Sequence, residues 1–331
     1  MSTVVPRADD FVHCLSTAPS TPCPDGDERP EARLTAITRL TVASLNLHLG
    51  LGWLGDPFDV AAAITGLDAA VICLQEVWLP QAQARAAGGG GKSSDDPVAG
   101  GDAVTGDDAV TGSDAVDGDD AVAEAAKSLG ATLYRVVQRS GMRLAEFGLT
   151  EAENVEAGPT GSGSGDLCLA VLTTLPVTAY EVRPLGRALA DHMPRLAQVI
   201  CVRVADEVTI RIVNTHLTHR LTSPVQLGRL WRSLRTDLEP TIIAGDLNMP
   251  RIIAARLAGF SPAVTGRTFP AWQPLMQLDH LLVSDDLTAV AGSVLTSAGS
   301  DHLPVRATIA VSANSSPAAV LWGQPERVIG P

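Results

Sequence analysis

The sequence predicts an α/β fold whose sheets are mixed or antiparallel. Apolar, strand-like runs are numerous, whereas helical periodicity is clear at only a few places. Two of the runs are joined by Ala205-Asp206-Glu207, a connection of hairpin length, where a doubly wound parallel sheet would place a helix in nearly every crossover. The runs also end, again and again, on a polar residue capable of chemistry, the habit of α/β proteins that build a site at their strand ends.

The elements follow in order. Residues 1–37 mix acids, prolines and polar residues and read as a disordered leader that lacks the apolar stretch of a secretory signal. The folded domain is expected over residues 38–312, with a tail at 313–331. Leu40–Leu45 is an apolar strand. A short helix should follow, with Asp56 as N-cap, Pro57 in the first helical position and Gly66 as the stop. AAVICLQ, residues 69–75, reads as a second buried strand.

The segment 88–121 is acidic and of low complexity, with Asp-Ala-Val recurring four times as far as residue 122. Asp-Gly-Asp clusters can ligate calcium, but the nonapeptide period of calcium β-helices is missing and the composition favours a solvated surface loop. Residues 156–166, rich in Gly and Ser, read as another loop. Strands resume at 131–137, 167–173, 196–204 and 208–217. Residues 223–238 are the clearest helix: Ser223 caps it, Pro224 opens it and Gln226 completes a capping box. Leu227, Leu230, Trp231, Leu234 and Leu238 line its apolar face. A strand at 241–245, a short helix after Pro250, and strands at 278–284 and 303–311 close the domain.

Composition narrows the classes. No run of about 18 apolar residues suggests a membrane span, and the five cysteines never form a CxxC pair, which argues for reduced thiols in a cytoplasmic protein. The net charge of −13 is uneven: residues 88–121 carry −8 and residues 1–35 carry −3, leaving −2 for the rest. A nearly neutral core neither supports nor excludes a phosphate-bearing partner. There is no Walker loop and no GxSxG elbow, so serine-nucleophile chemistry has no supporting motif.

The strand ends carry the chemistry. LTVASL ends in Asn46, VICLQ in Glu76, IRIVNT in His216, and TIIAG in Asp246 and Asn248. Asp279 opens a strand, and Asp301-His302 precedes the last. Singly, each is an ordinary turn, cap or solvated residue. Together they describe one site assembled from several loops. Asn46 and Glu76 offer hard oxygen ligands suited to Mg²⁺ or Mn²⁺. Asp246 can orient and deprotonate water, Asn248 can donate to a phosphate oxygen, and His302 backed by Asp279 can act as acid or charge stabiliser, with His216 as a further donor.

The motifs SLN, LQEVW, NTHL, GDLN, LDHLLVS and SDHLPV, in that order, resemble the endonuclease/exonuclease/phosphatase superfamily. It includes pancreatic-type deoxyribonucleases, abasic-site endonucleases, inositol polyphosphate phosphatases and neutral sphingomyelinases. The resemblance implies a four-layer sandwich, two mixed β-sheets packed face to face with helices on the outside, and a divalent-metal site at one edge. It makes Asn46, Glu76 and Asp301 metal-side ligands, with Glu76 the principal one. It makes His216 a phosphate contact, Asp246 the water-orienting acid, Asn248 the amide that holds the phosphate, and Asp279 the acid behind His302.

Some positions depart from the family pattern. His48 stands where some nucleases carry an acid, and whether Asp166 reaches the site is open. Tyr134 and Tyr180 read as structural. Trp272, in TFPAW, either stacks on substrate or packs on a neighbouring loop. The arginines at 187, 195, 220, 251 and 267 form no dense basic cluster of the kind duplex DNA binding usually shows. The apolar surface loops of membrane-acting relatives are not apparent in the sequence. The expectation is a Mg²⁺- or Mn²⁺-dependent phosphodiesterase or nuclease. A phosphatase of small metabolites or lipid headgroups, an inactive scaffold and a calcium-binding module are the rivals.

Overall fold

The computed structural model describes residues 37–80, 120–143, 164–187, 193–206, 208–219, 222–234 and 239–312. The leader as far as residue 36, the tail, most of the acidic segment, residues 156–163, Arg220 and Leu238 lie outside them, whereas Ile37 already belongs to the first strand.

The first sheet has the order β11-β12-β1-β2-β4-β3, from β1 (Ile37–Asn46), β2 (Val71–Pro80), β3 (Thr132–Arg143), β4 (Ser164–Thr173), β11 (Leu287–Val294) and β12 (Val305–Ser312). The second has the order β5-β6-β7-β8-β10-β9. Its strands are β5 (Val177–Gly186), β6 (Arg195–Ala205), β7 (Val208–Thr215), β8 (Thr241–Asp246), β9 (Ser261–Pro262) and β10 (Asp279–Val283). The helices are α1 (Val60–Thr65), α2 (Ala121–Leu129), α3 (Ser223–Leu234) and α4 (Arg251–Ala258). Parallel pairing occurs between β1 and β2 and between β7 and β8, whose connections contain α1 and α3. The antiparallel β6–β7 pair is the expected hairpin.

Both sheets are covered on both faces, which explains the continuous apolar runs of β2 and β8. Between the sheets, Val42, Cys73 and Val171 of the first pack with Ile200, Ile212 and Ile242 of the second. Outside the first sheet, Leu45 and Leu74 meet Ile64 and Ala125 of α1 and α2. Outside the second, Val213 and Ile243 meet Leu227, Leu230 and Leu234 of α3 and Ala254 of α4. The result is the expected four-layer sandwich, with helices on the outside. Cys73, Cys168 and Cys201 are buried free thiols, and burial pushes the Cys168 and Cys201 thiols up to about 12.

Several local expectations need correcting. Asp59, not Asp56, caps α1, accepting from the Ala62 amide at 2.8 Å, so Asp56 is left in the preceding turn. Gln226 forms no capping box: its side chain bonds the amide and hydroxyl of Thr218, each at 2.9 Å, tying α3 to the end of β7. The acidic segment yields to α2 at Ala121, where Asp120 accepts from the Ala123 amide. Residues 164–166 belong to β4, and the loop reading fails there. Strands β5, β9 and β11 were not foreseen. All three lie at sheet edges, and β11 is largely exposed, so a two-sided apolar pattern is missing.

Candidate active site

The site residues sit on or next to inner strands of both sheets, and backbone geometry aims each of them. Between Leu74 and Val77 the pairing of β2 with β4 slips, and Glu76 adopts φ +49° inside the strand. Such a bulge re-aims a side chain that would otherwise alternate with its neighbours. Gly245 has φ +135°, and a Cβ there would lie 2.0 Å from the Thr215 carbonyl oxygen. Only glycine lets β8 approach β7 closely enough to place Asp246 beside His216. Asn248, at φ +52°, uses the tolerance of asparagine for the left-handed region.

Asp246 is the centre. Its Oδ1 accepts from the Asn248 amide at 2.9 Å. Its Oδ2 accepts from Asn46 Nδ2 at 3.2 Å and faces Asn248 Nδ2 at 3.4 Å. The same oxygen lies 3.6 Å from His216 Nε2 and 3.8 Å from His302 Nε2, beyond hydrogen-bond length. Burial raises the Asp246 carboxyl to about 7, against the opposing pull of His302. His302 Nδ1 donates to Asp279 Oδ2 at 2.8 Å, and the Phe269 ring packs on the imidazole with centroids 4.7 Å apart. Burial works against the imidazolium, but Asp279 and Asp246 outweigh it and lift the group to about 10. Buried His216, with no acid close enough to hydrogen-bond, is held well below its ordinary value and stays neutral.

Of the metal-side residues Glu76 is half-buried at the rim, while Asn46 and Asp301 are buried. Asn46 Nδ2 also reaches Glu76 Oε1 at 3.3 Å, while Asn46 Oδ1 accepts from the His48 amide at 2.9 Å. As placed, that amide turns its donor toward the carboxylates. Asp301 is buried, and its carboxyl is raised by desolvation. His48 Nδ1 lies 3.7 Å from Asp301 and 3.0 Å from the Leu51 carbonyl oxygen, so the histidine braces a turn where an acid was absent. Carboxylates of Glu76 and Asp301 without a neighbouring thiol fit a hard divalent ion. Ligand atoms of Asp246, Asp279 and His302 also lie within 4.8 Å of one another. That trio is better suited to proton handling, because the imidazole's Nδ1 is committed to Asp279 and its charged form has no free lone pair.

Other residues enter that sequence reasoning passed over. Ser300 Oγ donates to the Asn46 carbonyl oxygen at 2.7 Å, and Thr268 Oγ1 accepts from the Asp279 amide at 3.2 Å. Both stand inside quoted motif neighbourhoods, which was the available signal. The Asp166 carboxylate is engaged elsewhere, accepting from the Gly141 amide of the neighbouring strand β3 at 2.9 Å. Tyr134 and Tyr180 stack on each other at 5.3 Å, a structural pair. Trp272 is 62% exposed and meets Trp53, itself 53% exposed, with ring centroids 6.0 Å apart. With Leu54 at 83% exposure, these loops do present apolar side chains to solvent, contrary to the sequence expectation.

A family model described as the Endonuclease/Exonuclease/phosphatase family matches residues 43–302, most of the chain and every candidate site residue. The chain belongs to that family.

Members of the endonuclease/exonuclease/phosphatase family are hydrolytic phosphoesterases, typically dependent on a divalent metal. Similarity to solved structures is one of fold. A family protein from Bacteroides thetaiotaomicron has a TM-score of 0.57 at 14% identity, covering 86% of this chain and 99% of its own. The endonuclease/exonuclease/phosphatase from Beutenbergia cavernae has a TM-score of 0.56 at 17% identity, covering 85% and 73%. The Bacteroides thetaiotaomicron mannosyl-6-phosphatase Bt3783 has a TM-score of 0.53 at 14% identity, covering 82% and 99%. No curated protein sequence matches the chain. Among the described residues no helix is long and apolar enough to cross a membrane.

Proposed function

We propose that this protein is a Mg²⁺- or Mn²⁺-dependent phosphodiesterase. The observation that carries the reading is the set of four side chains, Asn46, His216, Asn248 and His302, directed at one buried oxygen of Asp246. The two imidazole gaps leave that oxygen short of partners on the side where a water and a phosphoryl oxygen would enter.

In this reading Asp246, poised near neutrality, takes a proton from the attacking water as its oxygen bonds to phosphorus. The bond from phosphorus to the leaving oxygen breaks, that oxygen takes a proton from solvent, and Asp246 returns to solvent the proton it took from water. His302, kept charged by Asp279, donates to a phosphoryl oxygen where negative charge grows. Neutral His216 contributes a hydrogen bond without adding charge. Asn248 positions Asp246 through its backbone, while its Nδ2, which donates to the Leu217 carbonyl oxygen at 2.8 Å, would have to share or exchange that bond to hold phosphate. Glu76 and Asp301, with Asn46 once its amide is turned, would hold the metal, which supplies charge neutralisation at the phosphoryl group.

A diester is favoured over a monoester by the cleft beside the site. Its cavity of about 610 Å³ is lined by Trp53, Leu54, Phe58, Trp272 and Gly299. The cleft is tied to the metal side, since the Ala271 amide donates to the Asp301 carbonyl oxygen at 2.7 Å. It carries no cation and one acid, Asp56, so it suits the uncharged part of an ester rather than a free phosphate. Comparing kcat/KM for bis-p-nitrophenyl phosphate and p-nitrophenyl phosphate tests this. Preference for the diester that falls in Trp272→Ala through a higher KM supports it, and preference for the monoester makes the protein a phosphatase instead.

A further inference from the structure

The first two residues of β10 point to opposite faces of the second sheet, as successive strand residues do. Asp279 shares its face with Leu281 and Val283, which pack between the sheets, and meets His302 there. His280 shares the outer face with Leu282, which packs against the helices, and its Nε2 lies 2.9 Å from the Met249 carbonyl oxygen. A carbonyl can only accept, so Nε2 carries the ring proton. Burial holds the ring below its ordinary value, against the pull of that carbonyl, and the ring is neutral. Nδ1 is then a bare lone pair, buried and without a hydrogen-bond partner among the described residues. A core position that only needed filling would take an apolar side chain and strand no polar atom. What this histidine supplies instead is the bond to Met249.

That bond holds the turn that carries Asn248. Asp246 ends β8, Asn248 takes φ +52°, and α4 begins at Arg251. A left-handed residue other than glycine persists only where its surroundings fix it. The carbonyls of this turn are caught in succession. Ser223 Oγ donates to that of Asn248 at 3.4 Å, and the Ile253 and Ala254 amides donate to that of Pro250 at 2.9 and 3.1 Å. His280 takes the one between them. Proline has no N–H, so the Met249–Pro250 peptide can be pinned by hydrogen bonding through its carbonyl alone. Just upstream, the Asn248 amide donates to Asp246 Oδ1 at 2.9 Å, and Asn248 Nδ2 lies 3.2 Å from His216 Nε2. A Met249 peptide free to turn would let Asn248 leave that geometry.

We infer that His280 is a positioning residue: by fixing the Met249 carbonyl it keeps the Asn248 amide on Asp246, and so keeps Asp246 aimed at the attacking water. The catalytic half of this inference rests on the phosphoesterase reading; the path from His280 through Met249 to Asn248 does not. Strand β10 therefore grips the site twice, Asp279 through His302 and His280 through the Asn248 turn.

Glutamine places an amide nitrogen where Nε2 stands, and asparagine places one where Nδ1 stands, so these two variants separate the bond from the bulk of the ring. With bis-p-nitrophenyl phosphate and Mn²⁺, His280→Asn should lose about tenfold or more in kcat with KM little changed, and His280→Gln should stay within about threefold of wild type. Hydrogen exchange of the Asn248 amide in EDTA should be about tenfold faster in His280→Asn, the equivalent of one hydrogen bond, and little changed in His280→Gln. Equal losses in both variants would make the ring a filler, and wild-type values in both would make the bond idle; either result overturns the proposal. If wild type cleaves nothing, the phosphoesterase reading fails, and amide exchange alone decides whether His280 holds the turn: the same rate in all three proteins refutes it. Should His280→Asn not fold, nitrogen-15 shifts of the wild-type histidines in EDTA decide instead. His280 as the Nε2–H tautomer sustains the bond to Met249, and the Nδ1–H tautomer refutes it.

Discussion

His302 Nδ1 lies 2.8 Å from Asp279 Oδ2, and both groups are buried. They come from the start of β10 and the loop before β12, one in each sheet, so the pair forms only when the sandwich closes. Asp279→Asn should keep the ring in place but remove the charge that holds its proton. The expected loss in kcat is about 10²-fold or more, in line with general acid–base contributions. Nuclear magnetic resonance titration of His302 in EDTA reads the cause: the wild-type ring should keep its proton to about pH 10, and the variant should release it earlier. Because the folded value is raised, the pair's contribution to stability is complete below the ordinary histidine range, about 6.5, and is lost as pH climbs toward 10. The stability difference between wild type and variant should shrink over that window.

Asp246 carries the opposite consequence. Its folded value, raised from 3.8 to about 7, means that its charge is tolerated at a cost above neutrality. The associated stability is fully present below 3.8 and is lost as pH rises through about 7. In EDTA, Asp246→Asn should therefore melt higher than wild type at pH 8, by about 2–4 °C for each kcal/mol regained. The two melting curves should converge near pH 4. Activity should fall by about 10²- to 10⁴-fold.

Glu76→Gln removes a charge from a strand bulge at the rim, where little packing is lost. The Mg²⁺ concentration needed for half-maximal activity should rise by at least the roughly 10- to 100-fold seen when a partner one step from a metal is removed. Melting temperature in EDTA should barely change, and a large drop there would mean a structural carboxylate.

Behind the site the sheets are joined by buried amides. Gln75 Nε2 donates to Asn214 Oδ1 at 2.7 Å, and Asn214 Nδ2 lies within 3.0 Å of the Leu74 and Ala170 carbonyl oxygens and Gln198 Oε1. Asn214→Ala leaves those groups without a partner and should cost about 2–4 kcal/mol in urea denaturation.

The sequence made the reacting groups visible because each interrupts an apolar strand: the carboxylates of Asp246 after TIIAG and Glu76 after VICLQ break a run of apolar side chains. Their convergence on one buried oxygen was not visible, since it depends on a bulge at Glu76 and a glycine contact at Gly245 that only pairing creates. Strands β5 and β11 escaped because edge pairing needs no two-sided apolar pattern. Asp56 and Asp59 both precede an apolar run, and the choice between them lies in the turn where the Gly52 amide donates to the Asp56 carbonyl oxygen. Arg251 and Arg267 looked scattered because sixteen positions separate them along the chain, yet they line one cleft.

Hydrolysis of bis-p-nitrophenyl phosphate by wild type and Asp246→Asn, each in EDTA, Mg²⁺ and Mn²⁺, tests the central claim most directly. The account predicts cleavage by wild type with metal, none in EDTA, and cleavage by the variant with metal reduced by about 10²-fold or more. Equal cleavage in EDTA, or an Asp246→Asn protein as active as wild type, would contradict it.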